Sequence, residues 1–205
     1  MKKGLIIIGV AIVAIAVYFL FFVKPDGNLA DAPKTQPLAQ SANSDSFNIP
    51  FNNLLNSYFT LKDALINWDS ATAVKNANAL ADVANKVPYN SLKADSNIVA
   101  TAKDFSGSVV AEAQGLAGET NIDGMRHSFY TLSENLYNLI RTVRYDQQII
   151  YHDKCPMAFG DDQEAYWISN SSQIVNPYLG NKHPRYHSGM VGCGNIEDSI
   201  DYRKK

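Results

Sequence analysis

An uninterrupted run of apolar residues and glycine, Leu5–Val23, follows Lys2 and Lys3 and ends at Lys24. As a helix, this run would span about 28 Å, which matches the hydrocarbon core of a bilayer. Positive charge ahead of such a run keeps a short N-terminus in the cytoplasm. We therefore expect residues 1–24 to be a single-pass transmembrane anchor in the inner (cytoplasmic) membrane, with the remaining chain in the periplasm.

A cleaved signal peptide is the alternative interpretation of this N-terminus. The triplet Ala30-Asp31-Ala32 has the small-residue pattern of a cleavage site. The apolar run is longer than the roughly 7–15 residues usual in signal peptides, and Lys24-Pro25-Asp26 separates it from the triplet. A retained anchor is favoured, and the chain is exported in either case.

Residues 25–50 are rich in Pro, Ala, Ser, Asn and Asp and have no apolar periodicity, which predicts a flexible linker. From Phe51 onwards, apolar residues recur at alternating spacings of four and three, the pattern of one face of a helix. Four such stripes follow: Leu54–Trp68, Ala73–Val87, Ile98–Leu116 and Met125–Val143. Because the connections between them are short, residues 51–147 are predicted to form an antiparallel four-helix bundle.

Residues 148–205 lose the helical period. Two β-prone runs, QQIIYHDKCPMAFG and EAYWISN, flank the turn signal GDDQ and predict a β-hairpin, and the remainder is predicted as loops. A segment of this size cannot bury a large core alone, so it must pack on the bundle or be cross-linked. The predicted fold is therefore mainly α, a four-helix bundle with a small hairpin and loop module.

Charge excludes one class of partner. The formal net charge is -2 and there is no basic stripe, so nucleic-acid binding has no support. His152 and Cys155 are only a weak signal of a nucleophile and base, and we expect the protein not to be an enzyme.

Both cysteines stand close to a methionine. Cys155 and Met157 are two positions apart, a spacing that places side chains on one face of a strand. Met190 and Cys193 are three apart, among glycines that free the backbone. Thiolate and thioether sulfur are the ligands that copper(I) prefers, so these four residues are candidate ligands of one metal site. His152 and His187, which lie nearby in the sequence, are less certain additional ligands of the same site.

Two other interpretations of the cysteines stay open at this point. His152 and His187 could join Cys155 and Cys193 in a Cys₂His₂ zinc site, although thioethers are poor zinc ligands. Alternatively, Cys155 and Cys193 could form a disulfide, as is common in exported chains, with a stabilisation of about 3–4 kcal/mol. In that case the methionines would be ordinary core residues.

The same residues carry a family resemblance. The strings CPMAF, YWIS, QIVNPYLG and MVGCG, together with LKDALINWDSATA (61–73) and RHSFYTLS (126–133), resemble a bacterial envelope family catalogued as a domain of unknown function. The resemblance covers about residues 51–200. Domains of that family also occur fused to the periplasmic adaptor subunits of copper and silver efflux pumps.

The resemblance implies heavy-metal handling. It carries over to Cys155, Met157, Met190 and Cys193, whereas His183 and His187 lie in an insert, NKHPRYHSG, that shorter family members lack. We therefore expect the periplasmic part to bind copper(I), with silver or zinc as other candidate ions, for metal resistance or delivery to an efflux adaptor or pump. The alternative is a disulfide-stapled adaptor of the cell envelope that binds no metal.

Overall fold

The computed structural model describes residues 43–203, which form four α-helices and then a three-stranded antiparallel sheet. The helices are α1 (Asp45–Ile66), α2 (Ser70–Ala84), α3 (Ser96–Gly118) and α4 (Ile122–Val143), with a 3-10 turn (Tyr89–Ser91) between α2 and α3. The strands are β1 (Ile150–Cys155), β2 (Ala165–Ser169) and β3 (Asn195–Ile200). The predicted mainly helical fold with four helices is confirmed.

The anchor predicted at 1–24 and most of the linker predicted at 25–50 lie outside the described residues. Within 43–203, none of the helices combines the length and the apolar character that crossing a membrane requires.

Most residues of the apolar stripes lie on the buried faces of the helices, whereas Ile98, at the start of the third stripe, is 37% exposed. The predicted stripe on α4 consists of six residues that are each at most 2% exposed: Met125, Phe129, Leu132, Leu136, Leu139 and Val143. They are buried because α4 packs against both α3 and the sheet. Asp69 caps α2, since its side chain accepts a hydrogen bond from the Thr72 amide at 3.0 Å. A carboxylate at this position satisfies an amide that has no partner within the helix.

The first helix begins earlier than the sequence pattern predicts. It starts at Asp45, so the last residues of the predicted linker, 45–50, are helical even though they include Pro50. Proline has no amide hydrogen and normally weakens a helix at this depth. Packing outweighs that effect here, because Phe47 is fully buried and its ring stacks on Phe51 at 5.2 Å. The Asn43 side chain also donates to the Val143 carbonyl at 2.9 Å, which joins this end to α4.

Replacing Phe47 with alanine is expected to lower the free energy of unfolding by about 3 kcal/mol, since a buried ring is lost and a cavity remains. The matched control is Ile49→Ala, because Ile49 is 64% exposed on the same turn. That change should alter stability by no more than about 0.5 kcal/mol. Denaturant titration of both variants measures the difference, and equal effects would contradict the packing role of Phe47.

The sheet has the order β2-β1-β3, with both neighbours antiparallel to β1. The β1–β2 hairpin is confirmed, with Cys155 paired to Ala165. The third strand corrects the prediction of a hairpin followed only by loops. In β3 only Ile200 is buried, so the alternation of apolar and polar residues that identifies a half-buried strand is absent from its sequence.

Buried hydrogen bonds join the sheet to α1. The Tyr58 hydroxyl accepts a hydrogen bond from the Ile168 amide at 3.1 Å and donates to the Ser133 hydroxyl of α4 at 2.7 Å. The Lys62 ammonium donates to the Ser169 hydroxyl at 3.0 Å. Because these polar groups are buried, their partners fix the position of β2 relative to the helices.

The turn after residue 176 packs on the end of α1. Gly180 has φ +59, and a Cβ there would lie 2.6 Å from the Ile66 carbonyl oxygen. The Trp68 indole donates to the Leu179 carbonyl at 3.0 Å, and the Asn181 amide donates to the Ile66 carbonyl at 2.9 Å. Only glycine combines this backbone conformation with so close an approach.

Candidate functional site

Cys155 is the last residue of β1 and is fully buried. Its thiol lies near the Met157 backbone amide, the Asn176 side chain and the Cys193 thiol. Both cysteines are free thiols in the structure. The fold thus brings together the two cysteines that the sequence analysis singled out.

Cys193 reaches this position through a tight turn. Its backbone amide donates to the Met190 carbonyl at 3.0 Å, and the backbone amide of Asn176 donates to the Val191 carbonyl at 2.7 Å. Gly194 then has φ +138, with the Lys154 carbonyl oxygen only 2.5 Å from where a Cβ would lie. The close approach that glycine permits here brings the start of β3 against the end of β1.

Asn176 holds the two cysteine-bearing segments together. Its side chain is fully buried, and its oxygen accepts hydrogen bonds from the amides of Tyr178 at 2.8 Å and Leu179 at 3.0 Å. Its nitrogen donates to the Cys193 carbonyl at 2.8 Å. The sequence predicts a tight turn stabilised by this side chain, but the contact with Cys193 is not visible in the sequence.

The electrostatic environment of Cys155 keeps its thiol protonated. Burial raises the pKa of Cys155 above its ordinary value, and the neighbouring Cys193 thiol adds to the increase. Hydrogen bonds from the Met157 amide and Asn176 act in the opposite direction and are outweighed. A buried thiol of this kind is a poor nucleophile, whereas a metal ion can replace its proton.

The two methionines lie on the same chain segments as the cysteines. Met157 and Met190 are both partly buried, and both pack against the hydrophobic core together with Cys193. Met157 also forms part of the wall of a neighbouring cavity. Their thioethers therefore lie on segments that the fold places beside the thiols.

The histidines predicted as less certain ligands have other contacts. His152 is 7% exposed, its Nε2 lies 2.8 Å from a Glu134 carboxylate oxygen, and its ring stacks on Tyr137 at 3.9 Å. His187 is exposed and forms backbone hydrogen bonds with His183.

The Cys₂His₂ zinc set is not assembled in this structure. Over residues 43–203, no group of three or more His, Cys, Asp and Glu side chains converges in a way that could hold a metal ion. A site made of two thiols and two thioethers would not be such a group, because methionine is not one of those four residue types. The proposed sulfur ligands are therefore still candidates.

A comparison with known protein families gives a match in the helical part of the chain. Residues 54–148 match the family described as "Protein of unknown function (DUF3347)". This part of the chain is similar to a domain family of unknown function. The match ends before β1, so it includes neither cysteine. Neither a curated protein nor a solved structure was found to match the chain.

Proposed function

We propose that the paired thiols of Cys155 and Cys193 bind one soft metal ion, copper(I) in the first place. The observation that carries this proposal is that two free thiols from opposite ends of the C-terminal segment lie near each other, and one buried asparagine donates to the Cys193 carbonyl. Copper(I) prefers thiolate and thioether sulfur. Met157 and Met190 are proposed as additional thioether ligands.

Charge and burial are consistent with this choice of ion. Two thiolates and one monovalent cation leave a single negative charge, which the Met157 amide and the Asn176 side chain near Cys155 can stabilise. Since the raised pKa of Cys155 means that a proton must leave when metal binds, binding is expected to tighten as pH rises.

The proposed setting is the periplasmic face of the inner membrane. The run Leu5–Val23 would anchor the chain, and the resemblance of CPMAF and MVGCG to domains fused to copper and silver efflux adaptors supports delivery of the ion to an efflux partner. Metal resistance is the corresponding cellular role. Silver(I), which has similar ligand preferences, is the second candidate ion.

The test is an anaerobic competition titration of the full-length chain, with its thiols fully reduced, against a coloured copper(I) chelator. We expect the protein to withdraw one equivalent of copper(I). A Met157→Leu, Met190→Leu double variant should bind more weakly, whereas Met125→Leu should not, since Met125 is 2% exposed on α4. Leucine conserves the volume in each case, so folding is preserved.

The disulfide-stapled adaptor makes the opposite prediction. Its support is the same proximity of Cys155 and Cys193, since two neighbouring thiols can also be oxidised to a disulfide. Failure of the reduced chain to retain copper, with the two cysteines bonded in protein taken directly from cells, would favour the adaptor and contradict metal binding.

A further inference from the structure

A concave site lies at the N-terminal end of α4. It is a cavity of about 420 Å³, within the range of small-molecule sites, roughly 300–1,000 Å³. Its wall is formed by the start of α4, the segment after β1, and the loop that contains His183. Two guanidinium groups, two imidazoles and one carboxylate line it, from Arg126, Arg185, His127, His183 and Asp123.

Arg126 is the buried cation of this wall. It is 2% exposed, its guanidinium stacks on Trp68 at 3.8 Å, and its Nε donates to the Pro177 carbonyl at 3.2 Å. The neighbouring carboxylate, Asp123, is 3.6 Å away and 81% exposed. Burial lowers the pKa of Arg126 to about 10, more than Asp123 restores, so the group is charged at neutral pH. Its Nη2 also donates to the Leu65 carbonyl at 3.5 Å. A buried charge of this kind favours a close anion.

The positive charges around this cavity also affect the pKa of His183. Its pKa is lowered, first by burial and then by the charges of Arg126 and Arg185, with Asp123 acting in the opposite direction. Its Nδ1 accepts hydrogen bonds from the backbone amides of Arg185 at 3.1 Å and Tyr186 at 3.2 Å. The ring proton of the neutral imidazole therefore lies on Nε2, where it is available as a donor.

Aromatic rings complete the cavity. The His127 ring stacks on Phe159 at 3.8 Å, and the Arg185 guanidinium lies 5.3 Å from the centre of the Tyr186 ring. Phe159 and Tyr186 both line the cavity. A ligand here meets cationic and imidazole groups beside flat apolar surfaces.

We infer that this cavity binds a small organic anion, a carboxylate or a phosphate ester on a compact apolar body. The exposed guanidinium of Arg185 offers the planar fork that matches the oxygens of both groups, and Arg126 adds a buried positive charge. Anion binding here can be tested apart from metal binding because it requires neither cysteine, although Met157, a proposed thioether ligand, is part of the cavity wall.

The test is calorimetric titration of the full-length chain with benzoate, with inorganic phosphate, and with benzamide as a neutral analogue of benzoate. We expect at least one anion to bind and benzamide not to bind. The relative affinities of benzoate and phosphate then decide between the carboxylate and the phosphate class.

Arg185→Gln is the decisive variant, because Arg185 is exposed and its replacement should not affect folding. Losing one charged hydrogen bond should weaken anion binding about tenfold. Lys182→Gln is the matched control, an equal charge change in the same loop outside the cavity wall, and should have less than about a twofold effect. Absence of anion binding, equal binding of benzamide, or equal weakening by the two variants would overturn the inference.

Discussion

A Cys155→Ser variant is expected to lose copper(I) affinity by more than about a hundredfold. Even the loss of a residue that only orients a metal ligand typically weakens binding about 10–100-fold, and here a proposed ligand itself is removed. Serine is nearly isosteric with cysteine, so the fold should be retained. The chelator competition on reduced protein gives the affinity, and circular dichroism verifies the fold.

His187→Asn is the control that separates sulfur from imidazole ligation. His187 is exposed and has φ +51, a conformation that asparagine tolerates. Copper(I) affinity should be unchanged in this variant. If His187→Asn weakened binding as much as Cys155→Ser, the ligand set proposed here would be wrong.

An Asn176→Ala variant is expected to lower the free energy of unfolding by about 3 kcal/mol. Three hydrogen bonds to backbone groups are lost, and their buried partners at Tyr178, Leu179 and Cys193 are left unsatisfied. The turn and the Cys193 segment should loosen together, so copper(I) affinity should fall as well. Denaturant titration gives the stability, and chelator competition gives the affinity.

Two further variants sharpen that result. Asn176→Asp keeps the side-chain acceptor for the Tyr178 and Leu179 amides but loses the donor to Cys193, so its stability should be intermediate. Asn170 is exposed, so Asn170→Ala should change stability by no more than about 0.5 kcal/mol. If Asn176→Ala behaved like Asn170→Ala, Asn176 would not hold these segments together.

The helices were predictable because the spacing of apolar residues along the chain shows which face of each helix is buried. A stripe such as Met125–Val143 is visible in the sequence, since residues three and four apart share a helix face. The start of α1 was not predictable in the same way. Pro50 opposes a helix, and the contacts of Phe47 with Phe51 and Tyr89 that outweigh it are partly remote in sequence.

The sheet and the candidate site were harder to predict, because they are formed by contacts between residues that are far apart in the sequence. The first two strands have recognisable β-prone sequences, but β3 is mostly exposed and is specified by pairing with β1. The sequence indicates that Cys155 and Cys193 are important, and only the fold shows that they lie near each other. It could not indicate that His152 contacts Glu134, or that Arg126 and Arg185 line one cavity, because those pairs come from separate elements.

X-ray absorption at the copper edge of the fully reduced, copper-loaded full-length chain tests the central claim most directly. The proposed site predicts a low-coordinate shell of sulfur ligands alone, which is lost in the Cys155→Ser variant. A shell of nitrogen and oxygen ligands that persists in that variant would contradict binding by the cysteine pair.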